Sequence, residues 1–163
     1  MKMKRMKRIL ASLLVAGMML ALVGCGGGGE EKTVTLRADM TADMGLPTTD
    51  TMILTAKGDT IQTLKEVMEM DFEDIDEDLR DLLIEALEES IISPAQEING
   101  VTCSSNLSGS VYTLELTIDC SSSATLNAVK EANLLEIEEG LLNKLSLKAT
   151  QDGLKASGYV EVE

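Results

Sequence analysis

The sequence predicts an α+β domain, an antiparallel sheet of about five strands with a central helix and a C-terminal helix packed on it. Three observations carry this. Val111 to Asp119 alternates Val111, Thr113, Glu115 and Thr117 against Tyr112, Leu114, Leu116 and Ile118, the period of a strand with one buried face. Lys57-Gly58-Asp59-Thr60 and Ser108-Gly109-Ser110 are short turn sequences between apolar-rich runs, which is how antiparallel neighbours are joined. Leu79, Leu82, Leu83, Ala86 and Leu87 instead recur at helical spacing behind a cluster of acids.

The chain opens with Lys2, Lys4, Arg5, Lys7 and Arg8, followed by an apolar run from Ile9 to Val23. That order matches a secretory signal, and a run of about 15 residues is short of the roughly 20 that cross a bilayer as a permanent helix. Leu22-Val23-Gly24-Cys25 closes the run. Its small residues suit a processing enzyme, and the Cys25 thiol would receive a diacylglycerol, the mark of a bacterial lipoprotein. One acyl chain adds only about 0.8 kcal/mol per buried CH₂, so the two or three chains on such a cysteine are what make attachment durable. The division is therefore residues 1–24 as signal peptide, 25–32 as lipidated cysteine with a Gly-rich tether, and 33–163 as one folded domain. The expected location is the extracytoplasmic side of the cell membrane.

Four glycines from Gly26 to Gly29 cannot hold a regular element cheaply, so the tether is flexible. Thr33 to Ala42 alternates Val34, Leu36, Ala38 and Met40 with polar residues and reads as the first strand. Gly45 and Pro47 mark a loop. The second strand is expected over Thr51 to Lys57, and the third over Ile61 to Met70. Ile61, Leu64, Val67 and Met68 also fit one helical face, but the hairpin turn before them favours β. Asp74 and Glu77 stand in capping-box spacing before the central helix, with Ser93-Pro94 as its stop. A strand near Val101 to Leu107, a turn at Ser108 to Ser110 and the Val111 strand form a second hairpin. A short helix follows, capped within Ser121 to Ala124 and running to Val129, and Glu138 to Asn143 reads as loop. Ser146 is the expected cap of the last helix. Leu147 and Leu154 share its inner face, Gly158 suits the left-handed position past its end, and Tyr159-Val160 folds back on it.

Composition excludes several chemistries. Histidine is absent, which rules out Ser-His-Asp and Cys-His catalysis, imidazole zinc sites and a histidine pH switch. Phe72, Tyr112 and Tyr159 are the only aromatics, too few for sugar-stacking platforms or an aromatic cage. Residues 1–24 hold five of the 14 basic residues and none of the 28 acidic ones, so their removal takes the net charge from −14 to −19 (9 basic against 28 acidic). Such a field repels nucleic acid and keeps the domain soluble; cationic partners or metal ions are the ligands it would favour.

Asp74, Asp76, Asp78 and Glu85 occupy positions 1, 3, 5 and 12 of a calcium loop, yet position 6, which must be Gly, is Leu79. Acids at a helix start are favoured by its dipole in any case, so helix capping explains them and no metal site is assigned. Glu88-Glu89 and Glu138-Glu139 are adjacent in sequence and point apart on a helix, a solvated pattern. Ser104-Ser105 and Ser121 to Ser123 lack the Gly-x-Ser-x-Gly elbow and the Ser-x-x-Lys spacing of a nucleophile. Met40, Met44, Met52, Met68 and Met70 read as core filling before copper capture. Cys103 and Cys120 could pair in an oxidising exterior. A hairpin tip at Gly109 places Cys103 opposite Leu114 or Glu115, several residues from Cys120, which favours two separate buried thiols over a disulfide.

Thr35-Leu36-Arg37-Ala38-Asp39-Met40, the run from Met52 to Lys65, Ile98 to Cys103, and the run from Leu145 to Tyr159, taken with the order of elements, resemble the YehR-like lipoproteins, a domain family of unknown function. The likeness extends from about Thr33 to Val160. It implies a small α+β domain with a curled antiparallel sheet packed by helices and tethered outside the membrane, and it brings no catalytic or ligand residue with it. The expected function is that of a membrane-anchored envelope lipoprotein, a non-enzymatic module for a protein or peptide partner, without cofactor and without nucleic acid. The alternative is a small-ligand or cation-binding receptor subunit working with a membrane transporter.

Overall fold

The computed structural model describes residues 29–135 and 144–162; the lipobox Leu22 to Cys25 and the acids Glu138 and Glu139 lie outside them. Within these, six antiparallel strands form one open sheet: β1 (Glu31–Asp39), β2 (Thr48–Lys57), β3 (Thr60–Asp71), β4 (Val101–Ser108), β5 (Val111–Asp119) and β6 (Val160–Val162). Their order is β4-β5-β3-β2-β1-β6. The sixth strand exceeds the expected five. The last helix delivers it: Tyr159 N–H reaches Leu154 O and Gly158 N–H reaches Lys155 O, with Gly158 at φ 96°, a Schellman ending that turns the chain onto β1.

Strand parity builds the core. Val34, Leu36 and Ala38 of β1, Met52, Leu54 and Ala56 of β2, Leu64, Met68 and Met70 of β3, and Tyr112, Leu114, Leu116 and Ile118 of β5 are buried on one face. The helices cover that face with Leu87, Ile91, Ala95, Leu126, Val129, Leu147 and Leu154. Met40 joins this core and Met44 packs against it, so all five methionines named above are packing residues. The opposite parity is polar and rich in threonine: Thr33 pairs with Thr55 and Thr55 with Thr63, and Lys65 makes a 2.8 Å ion pair with Glu115.

Several boundaries differ from expectation. β1 ends at Asp39, because its Oδ1 accepts the Thr41 N–H and starts the helical turn α1 (Thr41–Met44). The central helix α2 (Glu77–Leu87) is preceded by Asp76, whose side chain makes no capping bond, so the Asp74–Glu77 box does not form. Its stripe is shallower than predicted: Leu87 is buried, while Leu79 and Leu82 are 40% and 55% exposed. Ser93-Pro94 does not stop the helical path. A π-turn (Glu88–Ile92) leads directly into α3 (Ser93–Gln96). Ser93 N–H bonds back to Glu88 O, five residues away, and Pro94 stands in the first turn of α3, where its missing N–H breaks no bond of that helix.

The two remaining helices start as expected. Ser122 Oγ accepts the Thr125 N–H for α4 (Ser123–Glu131), and Ser146 Oγ accepts the Ala149 N–H for α5 (Leu147–Ala156). Asp59, in the β2–β3 turn, accepts from Ser146 Oγ at 2.7 Å and Lys148 N at 2.9 Å, tying that hairpin to the start of α5. Gly100 (φ +85°) enters β4 beneath α4, where an added Cβ would lie 2.5 Å from Thr125 Oγ1, the hydroxyl that donates to Asn99 O. Gly100→Ala is therefore expected to cost about 1–3 kcal/mol, from strain and collision together, read as a lowered thermal midpoint.

Candidate functional site

Two carboxylates occupy core parity. Asp50 shares a face with Met52, Leu54 and Ala56, and Glu66 shares it with Leu64, Met68 and Met70. The register sets Asp50 opposite Met68 and Glu66 opposite Met52, which makes the two acids diagonal neighbours on adjacent strands. They are 2% and 5% exposed. Tyr159, carried inward by the Gly158 ending, donates its hydroxyl to Asp50 Oδ2, whereas Asp50 Oδ1 and the buried Thr150 Oγ1 find no hydrogen-bond partner among the described residues.

Burial dominates the electrostatics. It pushes Asp50 up to about 6, against the pull of the Tyr159 hydroxyl and the Thr51 N–H. Glu66 is held well above the ordinary carboxylate range by burial first and by the Asp50 charge second. Tyr159 is raised by burial and by the negative charge it faces. The arrangement holds protons that an exposed pair would release. With every member sealed in the core, it is built to make folding sensitive to pH.

Cys103 pairs with Leu116 across β4–β5, just past the expected Leu114 or Glu115, and Cys120 follows the end of β5. Both are buried free thiols, so the Cys103–Cys120 disulfide does not form. Burial raises them to about 11 and about 12, which leaves them protonated and unreactive near neutrality.

The acids of the calcium-loop pattern are dispersed along α2 and its approach, and no group of three or more acids or cysteines able to hold a metal occurs among the described residues. Glu88 and Glu89 stand exposed at the head of the π-turn. Ser104 and Ser105 lie in β4, and Ser122 is a helix cap. On the polar face a cleft of about 620 Å³ lies between the 96–102 segment and Thr63, Thr117 and Asp119. No helix of the described residues is long and apolar enough to cross a membrane.

Among solved structures, the NMR structure of the E. coli YehR protein superposes with a TM-score of 0.65 at 17% identity, over 83% of this chain and 93% of that one. The domain has a YehR-like fold. An NMR structure of a protein from Streptococcus pneumoniae TIGR4 gives 0.56 at 20% identity, over 88% of this chain and 92% of that one. No family model and no curated protein matches the sequence. Within this fold, one sheet and one layer of helices enclose the two acids.

Neither acid was singled out from sequence. Glu66 carries a legible signal, since a strand over Ile61 to Met70 gives it the parity of Leu64 and Met68. Asp50 carries none, since the second strand reads from Thr51 whereas the strand itself begins three residues earlier, at Thr48.

Proposed function

We propose that this chain is a YehR-like envelope lipoprotein, made with a signal peptide over residues 1–24 and held to the outer side of the cell membrane by lipid on Cys25. Its domain serves as a non-enzymatic module for a protein or peptide partner. The observation that carries the reading is the open sheet: helices cover one face, while the polar face and the β4 edge are left to solvent among the described residues. The N-terminal sequence supplies the anchor, and the YehR-like fold supplies the setting.

Crosslinking and mass spectrometry of the tagged chain in its own membrane, at native abundance, test it. One reproducible envelope partner is expected, together with loss of the protein from the membrane fraction in Cys25→Ala. A protein that stays in the membrane and captures nothing would move the weight to the small-ligand or cation reading, for which the cleft beside Glu97 and Asp119 is the place to titrate calcium, manganese and basic peptides.

A further inference from the structure

The two ends of the sheet are not equivalent. β6 is three residues long and guarded by Glu161, which Lys155 pairs at 2.7 Å, so it presents little free backbone. β4 has eight residues and an unbroken register with β5, with no charged side chain, proline or bulge to blunt its edge.

The hairpin fixes which of its backbone groups face outward. A two-residue loop makes Ser108 and Val111 a hydrogen-bonded pair, and alternation carries this to Gly100, whose carbonyl indeed accepts the Asp119 N–H at 2.8 Å. The odd-numbered residues therefore turn their backbone groups away from β5. At the start of the strand those groups are taken: Val101 N–H donates to Ile98 O, and Gln96 Nε2 reaches Cys103 O at 3.4 Å. Beyond them Ser105 and Leu107 present N–H and C=O outward, and among the described residues the whole stretch from Ser104 to Ser108 is exposed. Leu107, 40% exposed, adds an apolar contact on the helix side.

Charge decides the occupant. The stretch from Asp71 to Glu89 contains ten acids and the single basic residue Arg80. It comes up to this edge: Asp71 pairs with Val111 beside the hairpin tip, and the π-turn headed by Glu88 and Glu89 packs against β4. A second copy of so acidic a chain would be repelled. We infer that the outer half of β4, from Ser104 to Ser108, accepts an extended basic peptide segment of a partner protein as an added strand, main chain against Ser105 and Leu107 and cationic side chains toward the acidic helical arm. This rests on the binding-module reading and names its surface.

The probe is an N-acetylated nonapeptide of alternating lysine and valine, with a glutamate–valine twin, titrated against the full chain in detergent micelles. Binding of the basic peptide only, with amide exchange slowed roughly tenfold or more across residues 104–108, is the expected result. Ser105→Pro removes an outward N–H and leaves the β5 ladder whole, so it should fold normally and weaken binding roughly tenfold or more, while Ser105→Ala binds as the parent does. Equal affinity for the acidic twin, equal affinity of Ser105→Pro, protection elsewhere, no binding at all, or a dimer that Ser105→Pro dissolves would each overturn the inference. Membrane crosslinking of Ser105→Pro separates the two levels: a partner kept by that variant discards the edge alone, and no partner in the parent discards the module.

Discussion

Raising the pH from 4 to 8 should weaken this domain, where most proteins gain stability as their carboxylates ionise. The sign follows from Asp50 and Glu66. Asp50 titrates near 3.8 when unfolded and near 6 when folded, so its favourable contribution is complete below about 3.8 and is lost as the pH rises through about 6. A shift of that size is worth about 3 kcal/mol at about 1.4 kcal/mol per unit. Glu66, raised from 4.5, acts in the same sense and extends the loss upward. Asp39, Asp119 and Glu161 are lowered and oppose the trend, but they are surface groups whose effect is confined to more acid pH. Glu66→Met keeps length and removes the buried charge. It should stabilise the domain at pH 8 by about 1–4 kcal/mol and much less at pH 4, measured by urea unfolding at both. A parent whose stability climbs steadily from pH 4 to 7, with the variant following the same curve, would refute the buried-proton account.

Tyr159→Ala should be the most damaging single change in the C-terminal region, at about 3–5 kcal/mol. It opens a cavity where a buried ring stood, strips Asp50 of its side-chain donor and frees the segment that places β6. Tyr159→Phe separates these effects by keeping the ring. Its expected cost is about 1–3 kcal/mol, larger at pH 8 than at pH 5, because only the ionised Asp50 leans on the hydroxyl. Unfolding in the Glu66→Met background checks the linkage. The penalty should keep its rise between pH 5 and pH 8 there, since that rise belongs to Asp50, and a penalty equal at both would refute it.

Much of the fold was legible because local chemistry and tertiary need agree. β5 runs over the residues its alternation marked, Gly58 and Gly109 turn where turns were read, and Ser146 caps α5. The sequence was silent or misleading where long-range geometry overrides a local rule. Pro94 is normally a helix stop, yet here it follows a π-turn and opens the next helical turn instead. β6 has three residues and no pattern of its own; it exists because Gly158 aims it at β1. The exposed Leu79 and Leu82 show the converse, an apolar stripe that its sheet does not fully cover. The candidate site was the hardest part to see, since period-2 reasoning looks for apolar residues at inward positions and skips an acid that stands there.

The β1 register also sets a direction. Glu31, six residues after Cys25, pairs with Lys57 beside the β2–β3 turn, and Glu30 O accepts the Gly58 N–H, so the chain enters the domain at that pole. Six residues span at most about 20 Å. A lipid on Cys25 would thus hold the Lys32 and Lys57 pole near the headgroups. The far pole, with Asp39, Glu69, Asp71 and the Leu107 end of β4, would point out into the envelope, away from anionic lipid. The tether that fastens the domain would in that way also orient it, presenting its acidic end and its open strand to whatever approaches from outside.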